Sequence, residues 1–334
     1  MEMLIAEFVG LSLAIVIAGS FLARDADRIG ELTGLGRTLT GIVLLAAATS
    51  LPELVVGCQA ALIDAPNLAV GDLLGSCLFN LLILAVLDLT HRERGRMLSR
   101  SAAAHALSAT ASIVLTAIVL MALLVDVPWP IQRVSAGSVA ILVAYLMSLR
   151  LVYFDEQTVR QAIADVAVAS EEERAATKSL RRAAIGFVAA TIVILFAAPR
   201  LATTANELAD VSGLGGTIVG TIFVALVTSL PEVSTTVAAV RMRAFDMAVG
   251  NILGSNAFNI VTLVAVDLFY PAPLLAAANI SATHALTAAA VILVTAVVAM
   301  GLLYRAEKRY WIVEPDALLV ILLIVGSFCL VYFR

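Results

Sequence analysis

Apolar residues along this chain come in long blocks, not in alternation with polar ones. Blocks bounded by charge or by Pro and Gly fall at 4–22, 38–62, 68–87, 101–125, 130–149, 183–199, 216–240, 246–266, 278–303 and 316–333. A helix crossing the hydrocarbon core needs about 20 mostly apolar residues. The pattern predicts ten spanning helices, with both chain ends on one side of the membrane. Composition agrees. Of 334 residues, 61% are hydrophobic and 14% charged, against about 45–50% apolar and 25% charged in soluble domains. A soluble chain of this size could not hide so much apolar surface. The fold class expected is all-α, a polytopic membrane protein. A soluble enzyme and a secreted disulfide scaffold are excluded as classes, and a net charge of −4 argues against a nucleic-acid partner. The partner implied is the lipid bilayer. Cys58, Cys77 and Cys329 are scattered in apolar runs and read as packing residues, and His91, His105 and His284 have no metal-ligand spacing. Glu2 and Glu7 precede the first basic residue, Arg24, so the N-terminus does not read as a signal peptide and Leu4–Leu22 reads as the first permanent span.

Charge sets the orientation. With the N-terminus outside, 18 of the 21 Lys and Arg residues fall in inner loops, and only Arg133, Arg200 and Arg334 remain outside. The positive-inside tendency therefore predicts an integral multi-pass protein of the cell (inner) membrane with N- and C-termini outside. Trp129 and Trp311 fall at span ends, as interfacial aromatics should. The longest hydrophilic stretch, 153–182, holds Glu171-Glu172-Glu173 without a calcium-loop motif, and reads as a short solvated cytoplasmic helix.

The chain repeats itself at an offset of 179 residues without a gap. Gly34, Gly36 and Gly41 match Gly213, Gly215 and Gly220. Thr49-Ser50-Leu51-Pro52-Glu53 matches Thr228-Ser229-Leu230-Pro231-Glu232. Gly71, Gly75, Ser76, Phe79 and Asn80 match Gly250, Gly254, Ser255, Phe258 and Asn259. Asp88 and His105 match Asp267 and His284. Residues 1–152 and 183–334 are thus two five-helix repeats joined by the linker 153–182. Five is odd, so the second repeat enters the membrane inverted, as in many secondary transporters with a site at the repeat interface.

The repeated polar residues carry the chemistry. Glu53 and Glu232 fall mid-span, where a carboxylate costs at least ~2.5 kcal/mol on insertion scales. A buried salt bridge, a pair of protonated acids and a cation site each account for them, and the cation site is favoured because Arg133 is the only basic residue plausibly inside a span. Pro52 and Pro231 deny an N–H to the carbonyls of Ala48 and Val227. The helices should break around Ala46–Glu53 and Ala225–Glu232 and free main-chain oxygens toward a cavity. Ser76 and Asn80 share one helix face, as do Ser255 and Asn259. Their oxygens complete a cation shell or act as interhelical hydrogen-bonding groups. Gly71, Gly75, Gly250 and Gly254 read as close-packing positions. His105 and His284 read as packing residues bonded to neighbouring helices, and Asp88 and Asp267 as solvated or capping residues at span ends. All-oxygen donors suit hard cations such as Ca²⁺ and Na⁺. Two negative charges neutralise one Ca²⁺ or two Na⁺, which is a physical basis for exchange.

The paired TSLPE and GSxxFN motifs resemble the cation/Ca²⁺ exchanger superfamily, in particular its prokaryotic sodium/calcium exchanger-like members, over essentially the whole chain. The resemblance implies Na⁺/Ca²⁺ antiport by alternating access. Glu53 and Glu232 would sit at the centre, Thr49, Ser50, Thr228 and Ser229 around them, and Ala46 and Ala225 carbonyls with Ser76 and Ser255 at flanking sodium sites. It also implies that spans one and six, loosely packed on the rest, form a sliding gate. Asn80 and Asn259 complete the candidate set. Asn259 stands where the potassium-dependent branch has an acid, which argues against K⁺ co-transport. Asp72 replaces the Asn usual in the motif, retained at Asn251, and reads as a helix-start residue. The competing reading is a divalent cation/H⁺ antiporter with the two glutamates as proton carriers, and a channel is a third. No protease-like motif is present, so no enzyme activity, cofactor or obligate protein partner is expected. The ions expected are Ca²⁺ and Na⁺ as transported substrates.

Overall fold

The computed structural model of the chain describes residues 1–90, 102–125, 134–164, 173–211, 229–276, 280–281, 283–304 and 315–332. The described residues are helical, with short turns and no strand. In chain order the helices are α1 (Glu2–Thr33), α2 (Gly36–Thr49), α3 (Leu51–Leu62), α4 (Pro66–Thr90), α5 (Ala102–Leu124) and α6 (Ala136–Ala164). After these come α7 (Glu173–Val211), α8 (Leu230–Arg241), α9 (Phe245–Phe269), α10 (Thr283–Tyr304) and α11 (Pro315–Tyr332). Seven are long and apolar enough to cross a membrane, and the bent pair α2–α3 adds an eighth.

Helix ends differ most from the sequence reading where polar residues follow an apolar block. The first block ends at 22, yet α1 runs on through Arg24, Asp25, Asp27, Arg28 and Glu31 and stops only at Gly34, whose φ of 70° reverses the chain. Nothing in that acidic–basic stretch disfavours helix, so the apolar limit marks the membrane boundary and not the helix end. The same holds around the linker. Residues 153–164 continue α6 and 173–182 open α7, so the separate short helix expected there is largely the extension of its two neighbours.

The 179-residue offset is visible in the helix bounds. It carries α3 onto α8 and α4 onto α9 end for end. The turns between them also match. Asp64 and Arg243 both adopt φ 59°, and each closes a Schellman pattern. Ala65 N donates to Ala60 O and Ala244 N to Ala239 O, both at 2.9 Å. A left-handed non-glycine is uncommon, so its occurrence at two matched positions reflects a shared local fold.

The middle of the molecule is built on α4 and α9, the two candidate spans with most of their apolar window buried, at 61% and 67%. Leu73, Leu74, Leu78 and Leu81 of α4 interlock with Val249, Ile252, Ile260 and Leu263 of α9, and α5, α6, α10 and α11 pack around them. Lipid is as apolar as these side chains, so contact here is set by fit and by hydrogen bonds more than by hydrophobic transfer. α1 and α7 lie along each other in a separate cluster that is rich in alanine, with Ala18, Ala23, Ala26 and Ala190. That pair is smooth rather than loose. A Cβ added at Gly186 of α7 would overlap the Asp25 carboxylate of α1, and one at Gly19 on α1 would overlap Ser234 Oγ of α8.

Candidate cation site

The starts of α3 and α8 position the acids. α2 ends at Thr49, Ser50 takes φ −93° and ψ 5°, and α3 restarts at Leu51 with a bend of 42°. Pro52 then lies in the first turn of α3, where a missing N–H has no helical acceptor to lose. It leaves Ala48, buried at the break, without the N–H that a continuous helix would supply. Ser229 repeats the geometry at φ −82° and ψ 7°, with Pro231 in the first turn of α8. Just before the first break, Thr40–Leu45 forms a π-helical turn that the sequence reading does not contain. Such turns are rare and concentrate at functional sites.

Glu53 and Glu232 thus occupy the first turns of α3 and α8. The free N–H groups and the positive end of the helix dipole there offset part of the cost of burying a carboxylate. Both are buried, at 3% and 1% exposure, and they lie within electrostatic reach of each other. Ser50 Oγ donates to Glu232 Oε1 at 3.4 Å, and Thr49 Oγ1 lies 3.4 Å from Ser255 Oγ. Both Glu53 oxygens, Glu232 Oε2, Ser229 Oγ, Asn80 Oδ1 and Asn259 Oδ1 are buried without a hydrogen-bond partner among the described residues. Unsatisfied buried polar atoms are costly and rare in native proteins. These six oxygens come from four helices, α3, α4, α8 and α9. Among the described residues no three His, Cys, Asp or Glu side chains converge on a metal, so the remaining donors are neutral oxygens.

Beside the acids, α4 and α9 are held by a matched pair of bonds. Cys77 and Asn256 occupy equivalent positions. Cys77 Sγ donates to Asn256 O at 3.7 Å, and Asn256 Nδ2 donates to Cys77 O at 3.2 Å. Asn80 Nδ2 also donates to Asn256 Oδ1 at 3.0 Å, leaving its own oxygen free. The sequence reading gave Asn256 no role. Only its lack of a matching residue at Cys77 signalled it. Asn251 Nδ2, on the face of α9 that holds Ser255 and Asn259, donates to Thr235 Oγ1 at 3.2 Å and Thr236 Oγ1 at 3.0 Å.

Of the twelve candidate residues, Thr49, Ser50, Glu232 and Ser255 are linked directly, and Glu53, Ser229, Asn80 and Asn259 supply free oxygens. Ser76 is buried one turn before Asn80 on α4. The Ala46 carbonyl is not released by the break. It accepts the Ser50 N–H at 3.1 Å and, at 3.5 Å, the Thr49 hydroxyl. Ala225 and Thr228 lie outside the described residues, as do Val227, Arg133, Trp129 and Trp311. Gly250 and Gly254 are close-packing positions. An added Cβ would lie 2.8 Å from Thr38 O and 2.5 Å from Ile42 O respectively. Gly71 faces the His284 ring, whereas Gly75 has nothing described within 4 Å. The stretch matching Ile42, around position 221, is outside the described residues. His105 Nε2 lies 3.2 Å from Asp246 Oδ1, and His284 Nε2 lies 3.1 Å from Asn67 Oδ1. These pairs are equivalent under the same offset, and each ties a histidine to a neighbouring helix. Asp267 is a buried cap, accepting Ser135 N at 2.7 Å and also Leu274 N.

The sequence was compared with known families and proteins. The family model described as "Sodium/calcium exchanger protein" matches residues 3–154 and 182–333. The chain is 29% identical over 267 residues to the inner membrane protein YrbG of Escherichia coli (strain K12), covering 77% of this chain and 76% of that protein. A 64-residue segment is 44% identical to the sodium/calcium exchanger MaX1 of Methanosarcina acetivorans, covering 19% of this chain and 18% of that protein. The fold is similar to a solved structure of the sodium-calcium exchanger NCX_Mj, with a TM-score of 0.69 and 20% identity over 98% of this chain and 99% of that one.

Proposed function

Because this chain belongs to the sodium/calcium exchanger protein family, we propose that it is a secondary-active antiporter exchanging Na⁺ for Ca²⁺ by alternating access, independently of K⁺. The observation that carries this reading is the pair Glu53 and Glu232, buried in the first turns of α3 and α8 and left with free oxygens among the described residues. One Ca²⁺ or two Na⁺ cancels their charge, and hydroxyl, amide and main-chain oxygens fill the shell. A site that must be neutral to lie dry in the membrane exchanges one filling for the other. The ligand set is Thr49, Ser50, Glu53, Ser76 and Asn80, with the Ala46 carbonyl, and Thr228, Ser229, Glu232, Ser255 and Asn259, with the Ala225 carbonyl. Asn259 supplies a neutral amide, and that composition underlies the K⁺-independence.

The architecture that goes with this function is ten spans in two inverted five-helix repeats, 1–152 and 183–334, in an inner membrane with both termini outside. The matched bounds of α3–α4 and α8–α9, and the equivalent His105–Asp246 and His284–Asn67 contacts, support a pseudo-two-fold arrangement. α1 and α7 are the moving pair, since a smooth alanine- and glycine-lined interface slides at little cost. A second reading, a divalent cation/H⁺ antiporter, draws on the same free Glu53 and Glu232 oxygens, which can carry protons in place of Na⁺.

The test is ⁴⁵Ca²⁺ uptake by Na⁺-loaded proteoliposomes diluted into Na⁺-free buffer, in K⁺ or choline, with and without a proton ionophore. Sodium-driven uptake indifferent to K⁺ and to the ionophore is expected. Uptake driven only by a pH gradient would overturn the sodium reading and establish the proton one.

A further inference from the structure

The two repeats differ at one charged position on the polar stripe that leads to the site. On α4, Asp72, Ser76 and Asn80 fall four residues apart and share a face. On α9 the equivalent stripe is Asn251, Ser255 and Asn259. Asn251 is fully buried and its amide is held by Thr235 and Thr236. In the first repeat the positions equivalent to those threonines are Val56 and Gly57, which have no hydroxyl. Asp72 accordingly accepts no hydrogen bond among the described residues, is somewhat more exposed than Asn251, and lies within electrostatic reach of both Glu53 and Glu232.

Capping does not account for it. α4 begins at Pro66, so Asp72 lies in the second turn, beyond the free N–H groups of the first. This corrects the expectation of a helix-start residue. Nor is it part of the central shell, since it makes no three-acid cluster with the glutamates. It lies one turn before Ser76 on α4 and is less buried than Glu53, whose two oxygens have no hydrogen-bond partner among the described residues. The opposite end is built differently. Asn251 is neutral at the matched depth, and the next acid outward, Asp246, contacts His105 and lies within reach of the Arg37 charge.

We infer that Asp72 is a cation-recruiting carboxylate at one mouth of the site, the mouth at the N-terminal end of α4, with no unpaired acid at matched depth on the other side. This rests on the exchange reading above and adds to it a built-in difference between the two membrane faces. A fixed negative charge at the end of the polar stripe raises the local concentration of cations and speeds their capture. Its effect falls on ions arriving from that face alone.

The test is side-resolved Ca²⁺ transport in right-side-out and inside-out vesicles, comparing wild type, Asp72→Asn and Asp72→Glu. Asp72→Asn introduces the residue that the second repeat already holds at this position. Expected is a rise in the Ca²⁺ KM of roughly threefold to tenfold at the α4 N-terminal face, with the maximal rate and the KM at the other face retained. Asp72→Glu restores most of the loss. The wild-type advantage shrinks at high salt, as the Debye length falls from about 10 Å at 0.1 M to about 3 Å at 1 M. Equal KM changes at both faces, a fall in maximal rate alone, or no change would overturn the proposal. Absence of cation-driven Ca²⁺ transport by the wild-type protein would instead overturn the exchange reading, so the two failures are distinguishable.

Discussion

The α3–α4 and α8–α9 units begin from one motif, share helix bounds to the residue and end with different surroundings. Around α9 the backbone of α2 runs so close that Gly250 and Gly254 are required, and two threonines hold Asn251. Around α4, among the described residues, Gly71 meets the edge of a histidine ring and Asp72 has no hydroxyl partner. Ser50 reaches across to Glu232, while its equivalent Ser229 makes no bond and leaves both Glu53 oxygens free. Common to both units are a helix that starts just after a serine, a proline and an acid in its first turn, and a serine and an amide on the partner helix. What differs, among the described residues, is what packs against each copy.

The largest effect tests the common part. Glu53→Gln and Glu232→Gln should each reduce the initial rate of Ca²⁺ uptake by at least about a hundredfold, although only one of the two acids is hydrogen-bonded. Strongly unequal losses would mean that the two acids have different jobs. Next in size is the packing contrast. Gly254→Ala pushes a methyl against Ile42 and should cost about 1–3 kcal/mol, read as a lower Tm in detergent. Gly75→Ala should be neutral or gain up to ~1 kcal/mol from helix propensity. Equal losses would place an equally close neighbour at Gly75.

The sequence reading located the breaks, the acids and the packing glycines of α9, because each depends on local chemistry at one position: a proline without an N–H, a charge in an apolar block, a missing Cβ. It misjudged what depends on neighbours. Pro199 sits inside α7 without ending it, so a proline by itself does not fix a break. Pro52 starts a helix as much as it interrupts one. The π-helical turn at Thr40–Leu45 has no residue signature, and arises where α2 must pass the α9 glycines. Asp72 could be placed only after Val56 and Gly57 were seen where the other repeat has Thr235 and Thr236. That comparison was available in the aligned repeats, but its meaning needed the Asn251 hydrogen bonds.

Smaller effects sharpen the comparison. Asn256→Ala removes one bond to Cys77 O and one from Asn80, and should destabilise the protein by about 1 kcal/mol, whereas Cys77→Ser, which keeps a donor, should change Tm little. Thr236→Val should loosen Asn251 by a few tenths of a kcal/mol to about 1 and leave the KM at the α4 N-terminal face untouched. A shift at that face would couple the two mouths and contradict their independence.

The central claim is that Ca²⁺ and Na⁺ compete for one charge pair. It is tested most directly by equilibrium ⁴⁵Ca²⁺ binding to the purified protein in detergent, titrated with NaCl against choline chloride, for wild type, Glu53→Gln and Glu232→Gln. The account predicts that Na⁺, but not choline, displaces Ca²⁺ with a slope near two on a logarithmic plot, and that either substitution abolishes the competed binding. Ca²⁺ binding that ignores Na⁺, or that survives in both variants, would contradict it.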